Sequence, residues 1–280
     1  MKTKKFIFKL FTIIIFIYIS IMLYEYYSPP KERQYYRTTK HDDDTLRIAY
    51  IGDSWALGHS GIWTFGPKPH SCQISNIITD SLHKPVIIES YGIGGLTSKN
   101  IYYAFFDVDS FNQFLKEGYD YCFISAGIND TYCKMSISYY KQSINLIIRF
   151  LLNNHIHPII LEIPDYNIFK AFEKQKINKK LIRHLSMFVN ETQLDCKQQF
   201  RDALDELITK NDYKDKVSIL RYKSWNKNYE NDLNELYIED QMHLNDKGYN
   251  ALDNALMNII FDIERRKTVQ KEYDTSNYKK

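Results

Sequence analysis

Residues 46–54 of the chain read LRIAYIGDS and join an apolar run to a short turn. The β-branched, aromatic and small residues up to Ile51 predict a strand. Gly52, Asp53 and Ser54 are residue types that favour turns, so Ser54 is expected at the carboxyl end of that strand. Open α/β sheets bind their ligands at the carboxyl ends of their strands. Ser54 is therefore a candidate nucleophile, and the alternative is an ordinary turn that ends a strand.

Beyond this turn, strand-like and helix-like patterns alternate along the chain. Apolar residues spaced by three or four positions predict helices, and short apolar runs predict strands. The predicted strands cover residues 85–89, 121–126, 157–163 and 217–220, and the predicted helices cover residues 74–82, 101–106, 111–115, 137–152, 188–208 and 246–263. Strands and helices that alternate in this way form a mostly parallel sheet covered on both faces. The predicted fold class is therefore α/β.

The amino terminus is basic and then strongly apolar. Four lysines lie within the first nine residues, and Ile, Phe, Leu, Met and Tyr dominate from there to Tyr24. The apolar stretch is close to the roughly 20 residues with which a helix crosses a bilayer, so residues 1–26 are predicted to form one N-terminal transmembrane helix, an uncleaved signal anchor. The lysines predict a cytoplasmic amino terminus and a main domain on the non-cytoplasmic side, in a bacterial envelope. A cleaved signal peptide is the alternative, but residues 21–26 lack the small residues of a cleavage site.

The composition of the remaining chain predicts three parts. Residues 27–45 contain Pro29-Pro30 and charges of both signs without an apolar period, which predicts a linker. Residues 46–264 are long enough for one domain with a sizeable core, and residues 265–280 are predicted to be a polar tail that frays. The chain is 44% hydrophobic and 25% charged, with a formal net charge of +3. No basic stripe indicates a nucleic-acid partner, and the oligomeric state is left open.

The cysteine pattern does not favour a metal site. Cys72, Cys122, Cys133 and Cys196 are widely spaced, and none forms a C-x-x-C pair or a Cys/His pair at ligand spacing. Cys122 lies in an apolar run, where a buried thiol behaves as a small hydrophobe. No metal and no cofactor is expected, and the disulfide pairing is left open.

Three further motifs lie at or beyond predicted strand ends. Residues 90–97, SYGIGGLT, hold three glycines, including Gly95, that let the backbone approach a ligand; their spacing does not match a nucleotide-binding loop. Asn129 follows the 121–126 run and could aim its amide into the same cleft as Ser54. Asp240 stands three residues before His243, just ahead of the last predicted helix. A carboxylate at that spacing can orient and activate an imidazole base. Taken singly, these residues could also be a helix cap, a surface histidine and a turn former.

In this order the four motifs resemble those of the SGNH/GDSL hydrolase superfamily of serine esterases and acyl-processing enzymes. The resemblance spans the domain from Ile48 to about Leu252 and implies a three-layer, flavodoxin-like parallel sheet with helices on both faces. Two positions depart from the family pattern, since Trp55 follows the serine where Leu is usual and Ser90 opens the second block where Asn is common. Neither departure removes a catalytic atom.

The resemblance also implies the role of each motif residue. Ser54 is the implied nucleophile, His243 its general base, and Asp240 the carboxylate that orients the base. The implied oxyanion hole consists of the backbone N–H groups of Ser54 and Gly95 and the side-chain amide of Asn129.

These roles predict a serine-dependent O-acyl ester hydrolase that works through a covalent acyl-enzyme. The expected partner is an acylated small molecule or glycan, and the leading interpretation is an acetylesterase acting on an envelope or surface polysaccharide. There are two alternatives. The first is a polysaccharide O-acetyltransferase with the same triad, and the second is a catalytically silent glycan-binding subunit. Trp55 and Asp130 are the candidate substrate-binding residues. Trp55 and four other aromatic residues could also stack on sugars, namely Trp63, Tyr102, Tyr103 and Trp225.

Overall fold

The computed structural model describes residues 2–33, 39, 41–59, 70–133 and 135–277. It divides the chain into two units, residues 1–32 and residues 33–280. Arg33, inside the predicted 27–45 linker, belongs to the second unit, where its backbone N–H donates to the hydroxyl of Tyr102 at 2.9 Å. The predicted domain boundaries otherwise stay a prediction.

The first unit contains helix α1, Lys2–Tyr27. A helix was expected here, but the predicted membrane span is not supported. No helix in the described part of the chain is both long enough and apolar enough to cross a bilayer. The side chains described in α1, residues 4–21 and 24, include three lysines, Lys4, Lys5 and Lys9, and each charge makes burial in hydrocarbon costly.

The second unit is built on a parallel sheet. Within the described residues it has five strands, β1 Leu46–Gly52, β2 Val86–Gly92, β3 Tyr121–Ser125, β4 His157–Leu161 and β5 Ser218–Leu220. They are hydrogen-bonded in the order β2-β1-β3-β4-β5, and every pair is parallel. This is the flavodoxin-like order of a doubly wound sheet, which confirms the predicted fold class.

The central strands are apolar because both of their faces are covered. Ile48, Ala49, Tyr50 and Ile51 of β1 are fully buried, as are all residues of β3. Their runs read as continuous rather than alternating, as expected for parallel strands between two helical layers. β2 extends three residues beyond the predicted 85–89 strand, because it pairs with β1 along its whole length to Gly92.

Helices occupy the connections between strands. They are α2 Ser54–His59, α3 His70–Leu82, α4 Ser98–Asp107, α5 Asp109–Lys116, α6 Ile128–Cys133, α7 Ile137–Asn153, α8 Ile168–Glu173, α9 Ile177–Val189, α10 Lys197–Lys210, α11 Tyr229–Glu235 and α12 Asp246–Asn277. α7 packs on α4 and α10, while α12 packs on α3. These two groups of helices cover the two faces of the sheet.

Two helix predictions were wrong. The helix predicted over residues 188–208 is the end of α9 and most of α10, with a break at Glu191, whose φ of 51° lies in the left-handed region and cannot continue a right-handed helix. The helix predicted over residues 246–263 is longer than expected, because α12 continues to Asn277 through most of the predicted tail. Lys267 anchors the start of that extension, since its Nζ donates to the hydroxyl of Tyr121 at 2.7 Å and to Glu264 at 3.0 Å.

Candidate active site

Ser54 lies where β1 ends and α2 begins. The register places Gly52 beside Gly92 of β2 and Ser125 of β3, so the loops that follow all three strands meet at one edge of the sheet. Gly52 is required for this approach, because a Cβ at that position would lie 2.2 Å from the carbonyl oxygen of Ser125. Ser54 is thereby held beside both loops that carry the oxyanion-hole candidates.

Asp53 fixes the turn before the serine. Its side chain is fully buried, and Oδ1 accepts hydrogen bonds from the Trp55 amide at 3.0 Å and the Ser125 hydroxyl at 3.1 Å. Oδ2 accepts from Nδ2 of Asn129 at 3.2 Å. Burial raises the pKa of Asp53 to about 6, against the opposing effect of its hydrogen-bond donors. Asp53 thus ties the serine turn to the loops that follow β3.

Ser54, His243 and Asp240 form one hydrogen-bonded chain. Ser54 Oγ lies 3.0 Å from His243 Nε2, and His243 Nδ1 lies 2.6 Å from Asp240 Oδ2. The other carboxylate oxygen, Oδ1, accepts from the backbone amides of Met242 at 2.8 Å and His243 at 2.9 Å. With Nδ1 donating to the carboxylate, Nε2 is left to accept the Ser54 proton. The structure therefore places the predicted base between the predicted nucleophile and the carboxylate that orients it, as proton transfer from Ser54 to His243 requires.

The carboxylate of Asp240 is held in its ionised form. Burial alone would raise its pKa, but the hydrogen bonds from the His243 ring and from the amides of His243 and Met242 outweigh burial and lower it. An ionised Asp240 favours the Nδ1–H tautomer of His243 and stabilises the imidazolium that forms when the base takes a proton.

The loop of residues 240–243 is held by Asn167 and Trp55. Asn167 of the segment before α8 donates its backbone N–H to the Gln241 carbonyl at 3.0 Å and its Nδ2 to the Gln241 side chain at 2.8 Å. The indole N–H of Trp55 donates to the Met242 carbonyl at 3.1 Å. The loop holds Gln241 at a φ of 54°, a left-handed conformation that non-glycine residues adopt rarely. These tertiary contacts therefore determine the backbone conformation of residues 240–243.

Three N–H groups near the Ser54 hydroxyl are candidates for the oxyanion hole. Ser54 is the first residue of α2, so its amide has no acceptor within that helix. Gly95 adopts a φ of +83°, and no heavy atom of a residue beyond its two chain neighbours lies within 4 Å of the Cβ position it leaves empty. Asn129 Nδ2, in contrast, donates to the Leu96 carbonyl at 3.0 Å and to Asp53 at 3.2 Å. Asn129 therefore stands in the predicted place with its amide hydrogens directed at protein acceptors.

All of the predicted catalytic and oxyanion-hole residues line one open cleft of about 630 Å³. The sequence did not identify the other residues of its wall, which are Gly94, Tyr132, Ala171, Lys174 and Met242. One signal was available for Tyr132, since it follows Asn129 by three positions on α6 and so lies on the same helical face. Ala171 and Lys174 come from the region of α8, which was not predicted.

The two predicted substrate-binding residues do not reach this cleft. Trp55 is fully buried, its indole N–H is used on Met242, and its carbonyl accepts from the Tyr249 hydroxyl at 3.1 Å. Asp130 is also fully buried and accepts from the backbone N–H of Ser98 at 2.8 Å and from its hydroxyl at 2.5 Å. Both are structural residues, because their polar atoms are already satisfied inside the domain.

Most of the predicted sugar-stacking aromatics are also unavailable. Tyr102 and Trp225 are buried in the core, and Tyr103 lies under the guanidinium of Arg33 at 4.7 Å. Trp63 falls outside the described residues.

Among the residues that are described, no group of three or more His, Cys, Asp or Glu side chains could hold a metal ion.

No protein-family model matches this sequence, and no curated protein matches it in a sequence comparison. Solved structures do match its fold. The acetyl xylan esterase AlAXEase superposes with a TM-score of 0.51 at 14% identity, covering 77% of this chain and 100% of that one. A G-D-S-L family protein from Desulfitobacterium hafniense gives 0.51 at 15% identity, covering 76% and 99%. The esterase EstA from Pseudoalteromonas sp. gives 0.51 at 11% identity, covering 80% and 100%. At such identities the likeness is one of architecture, and this chain therefore has the SGNH/GDSL hydrolase fold that its motifs implied.

Proposed function

We propose that this chain is a serine-dependent carboxylic ester hydrolase that works through a covalent acyl-enzyme at Ser54. The observation that carries the proposal is the hydrogen-bonded chain from Ser54 Oγ through His243 to Asp240 at the wall of an open cleft. A serine hydroxyl is a weak nucleophile by itself, and a base within hydrogen-bond reach is what activates it.

The reaction runs in two halves. His243 Nε2 takes the Ser54 proton while Oγ attacks the ester carbonyl carbon, and the same nitrogen then gives the proton to the leaving alcohol. Water next attacks the acyl-enzyme with His243 again acting as base, which releases the acid and restores Ser54. Asp240 stays ionised throughout and stabilises the imidazolium of each half.

Negative charge on the carbonyl oxygen requires donors that are already in place. The amides of Ser54 and Gly95 fill that role, with Nδ2 of Asn129 as the third donor. To donate to the oxyanion, Asn129 exchanges one of its two present acceptors, Leu96 or Asp53, for the substrate oxygen. The Leu96 carbonyl is the acceptor that substrate replaces in this scheme, because the bond to Asp53 keeps the amide tied to the serine turn.

The proposed substrate is an O-acetyl group on a polysaccharide. Support comes from AlAXEase, described as an acetyl xylan esterase, which shares the fold at a TM-score of 0.51. The cleft wall around Tyr132, Ala171 and Met242 offers apolar surface for a short acyl group. An O-acetyltransferase would use the same acyl-enzyme with a sugar hydroxyl in place of water.

The test is hydrolysis of a short-chain chromogenic acetate by the full chain, with Ser54→Ala measured in parallel. We expect a serine-dependent rate, together with a phosphonate adduct on Ser54 that mass spectrometry locates. EstA is described as inhibited by monoethylphosphonate, which makes that reagent a suitable probe. A rate that survives Ser54→Ala would exclude the mechanism. Adduct formation combined with faster acetyl transfer to a glycan than to water would favour the acetyltransferase.

The location outside the cytoplasmic membrane is a separate proposal, supported only by the lysines and apolar run at the amino terminus. Digestion of intact and of broken cells with a protease tests it. We expect residues 33–280 to be cleaved in cells whose cytoplasm stays sealed, and protection in those cells would refute it.

A further inference from the structure

Helix α9, Ile177–Val189, turns its apolar face away from the protein. Surface helices of globular proteins normally bury such a face against the core. On α9 the exposed fraction reaches 78% at Ile177 and 82% at Phe188. The exposed apolar residues are Ile177, Leu181, Ile182, Leu185, Phe188 and Val189. At 3.6 residues per turn they span an arc of about 140°, in which Asn178 is the only polar position of α9.

The inward face of α9 is polar instead. Arg183 and Ser186 are only 3% and 1% exposed. The Arg183 guanidinium lies 4.3 Å from the ring centroid of Tyr132 and 5.5 Å from that of Phe172, and its Nη2 donates to the Thr131 carbonyl at 3.4 Å. The helix is therefore held in this orientation by specific contacts, and the exposed arc is a fixed feature of the surface.

The charged side chains of α9 are all basic, and the nearest acidic residues along the chain, Glu173 and Glu191, lie beyond its two ends. Residues 174–190 contain four lysines and one arginine, and no Asp or Glu. Lys176 and Lys179 are exposed beside the apolar arc, at the amino-terminal end of α9. A helix with one apolar face and flanking lysines is typical of helices that lie in the interfacial plane of a bilayer, where the lysines reach anionic head groups.

We propose that α9 docks this domain on an anionic lipid bilayer, with its apolar arc in the acyl boundary and Lys176 and Lys179 at the head groups. A bilayer fits better than an apolar protein partner, because exposed cations flank the amino-terminal end of the apolar arc, where they can meet anionic head groups. Docking of this kind does not require that Ser54 be the nucleophile.

The docked face adjoins the catalytic cleft. Tyr132, which stacks on Arg183 of α9, also lines the cleft, and so does Lys174, three residues before the helix. Docking through α9 would therefore hold the cleft at the level of the lipid head groups, where substrates carried at a membrane surface are concentrated.

The test uses the full chain with Phe188→Trp and vesicles of brominated phosphatidylglycerol or brominated phosphatidylcholine. Bromine quenches only a tryptophan that enters the acyl region, so the measurement reports on position 188 whatever the amino terminus binds. The emission added by Phe188→Trp, relative to the parent chain, is expected to shift to the blue and to be quenched by brominated phosphatidylglycerol. Lys214→Trp, at an exposed position in the turn after α10, is the matched control and should stay unquenched.

Lys176→Gln together with Lys179→Gln, in the Phe188→Trp background, tests the charge. Each lysine near an anionic surface contributes about 1 kcal/mol, so docking should weaken about fivefold per lysine removed. Absence of quenching, or equal quenching in both lipids, would refute anionic docking. Without vesicles, a blue shift that grows with protein concentration would mean that a second copy covers α9, and a shift independent of concentration would mean that another segment of the chain does. Either result would also refute the proposal.

Discussion

Replacing Asp240 with asparagine separates the role of its charge from its role in the fold. In the wild type, Oδ1 accepts two backbone amides and Oδ2 accepts the Nδ1–H of His243. In Asp240→Asn, the single side-chain carbonyl oxygen can still accept the hydrogen bonds from the two backbone N–H groups. In that orientation the side-chain NH₂ group points toward His243 Nδ1. That nitrogen must then accept, so the ring proton moves to Nε2.

The tautomer change disables the base. With a proton on Nε2, His243 presents a donor to Ser54 Oγ across the 3.0 Å contact and cannot take the serine proton. The corresponding substitution in a serine protease lowers kcat by about 10⁴, equivalent to roughly 5 kcal/mol of barrier, and we expect a loss of that order for Asp240→Asn.

The assay is turnover of a chromogenic acetate, with Tm measured on the same samples. Glu239→Gln is the control, because it removes the same charge one residue earlier from an exposed side chain whose only described ion pair is with Lys174 at 3.6 Å. We expect that control to keep turnover within about twofold of wild type, since exposed ion pairs contribute little. If Asp240→Asn retained more than about a tenth of wild-type turnover with an unchanged Tm, the tautomer reasoning would be wrong.

Three further predictions concern the surroundings of the serine. Asn129→Ala is expected to lower turnover by about 10²–10³ with the fold kept, as measured by steady-state kinetics and circular dichroism. Gly52→Ala is expected to lower the free energy of unfolding by about 3 kcal/mol or more in denaturant titrations, because its Cβ would meet the Ser125 carbonyl at 2.2 Å. Asp53→Asn should change how stability depends on pH. Because burial raises the pKa of Asp53 from 3.8 to about 6, the wild type loses stability as pH rises through that window, by roughly 3 kcal/mol in total. The variant lacks this loss, so its stability relative to wild type should increase between pH 4 and pH 7.

Each of these has a result that contradicts it. Near-normal turnover by Asn129→Ala would remove its amide from the oxyanion hole. Wild-type stability of Gly52→Ala would mean that β1 and β3 can separate without cost. For Asp53→Asn, a stability difference that stays constant from pH 4 to pH 7 would show that the buried carboxyl does not titrate there.

The sequence predicted the elements whose signals are local. The β1 strand and its turn could be predicted because parallel strands buried on both faces are apolar throughout, and because Gly52 is needed where the backbone comes close to Ser125. The triad candidates could be predicted because Asp240 and His243 are three residues apart. Their proximity to Ser54 could be predicted only from the family resemblance, because 189 positions separate the serine from the histidine.

The errors arose where tertiary contacts override local pattern. Trp55 beside a nucleophile resembles a pocket residue, but contacts with Met242 and Tyr249 bury it. An apolar helical face has the same spacing whether it meets the core or the solvent, so α9 could not be assigned an outward face from spacing alone. The break at Glu191 was missed for a related reason, because a non-glycine residue with positive φ carries no strong sequence signature.

The span of chain between Ser54 and His243 has a consequence for how the site comes into being. Synthesis delivers the β1 turn long before residues 240–243, and Trp55 is held both by the Met242 carbonyl and by Tyr249 of α12. A nascent or truncated chain that stops before residue 240 exposes a serine without a base. Ester cleavage would then begin only after residues 240–249 have packed on α2, so the appearance of activity during refolding would report that this contact has formed.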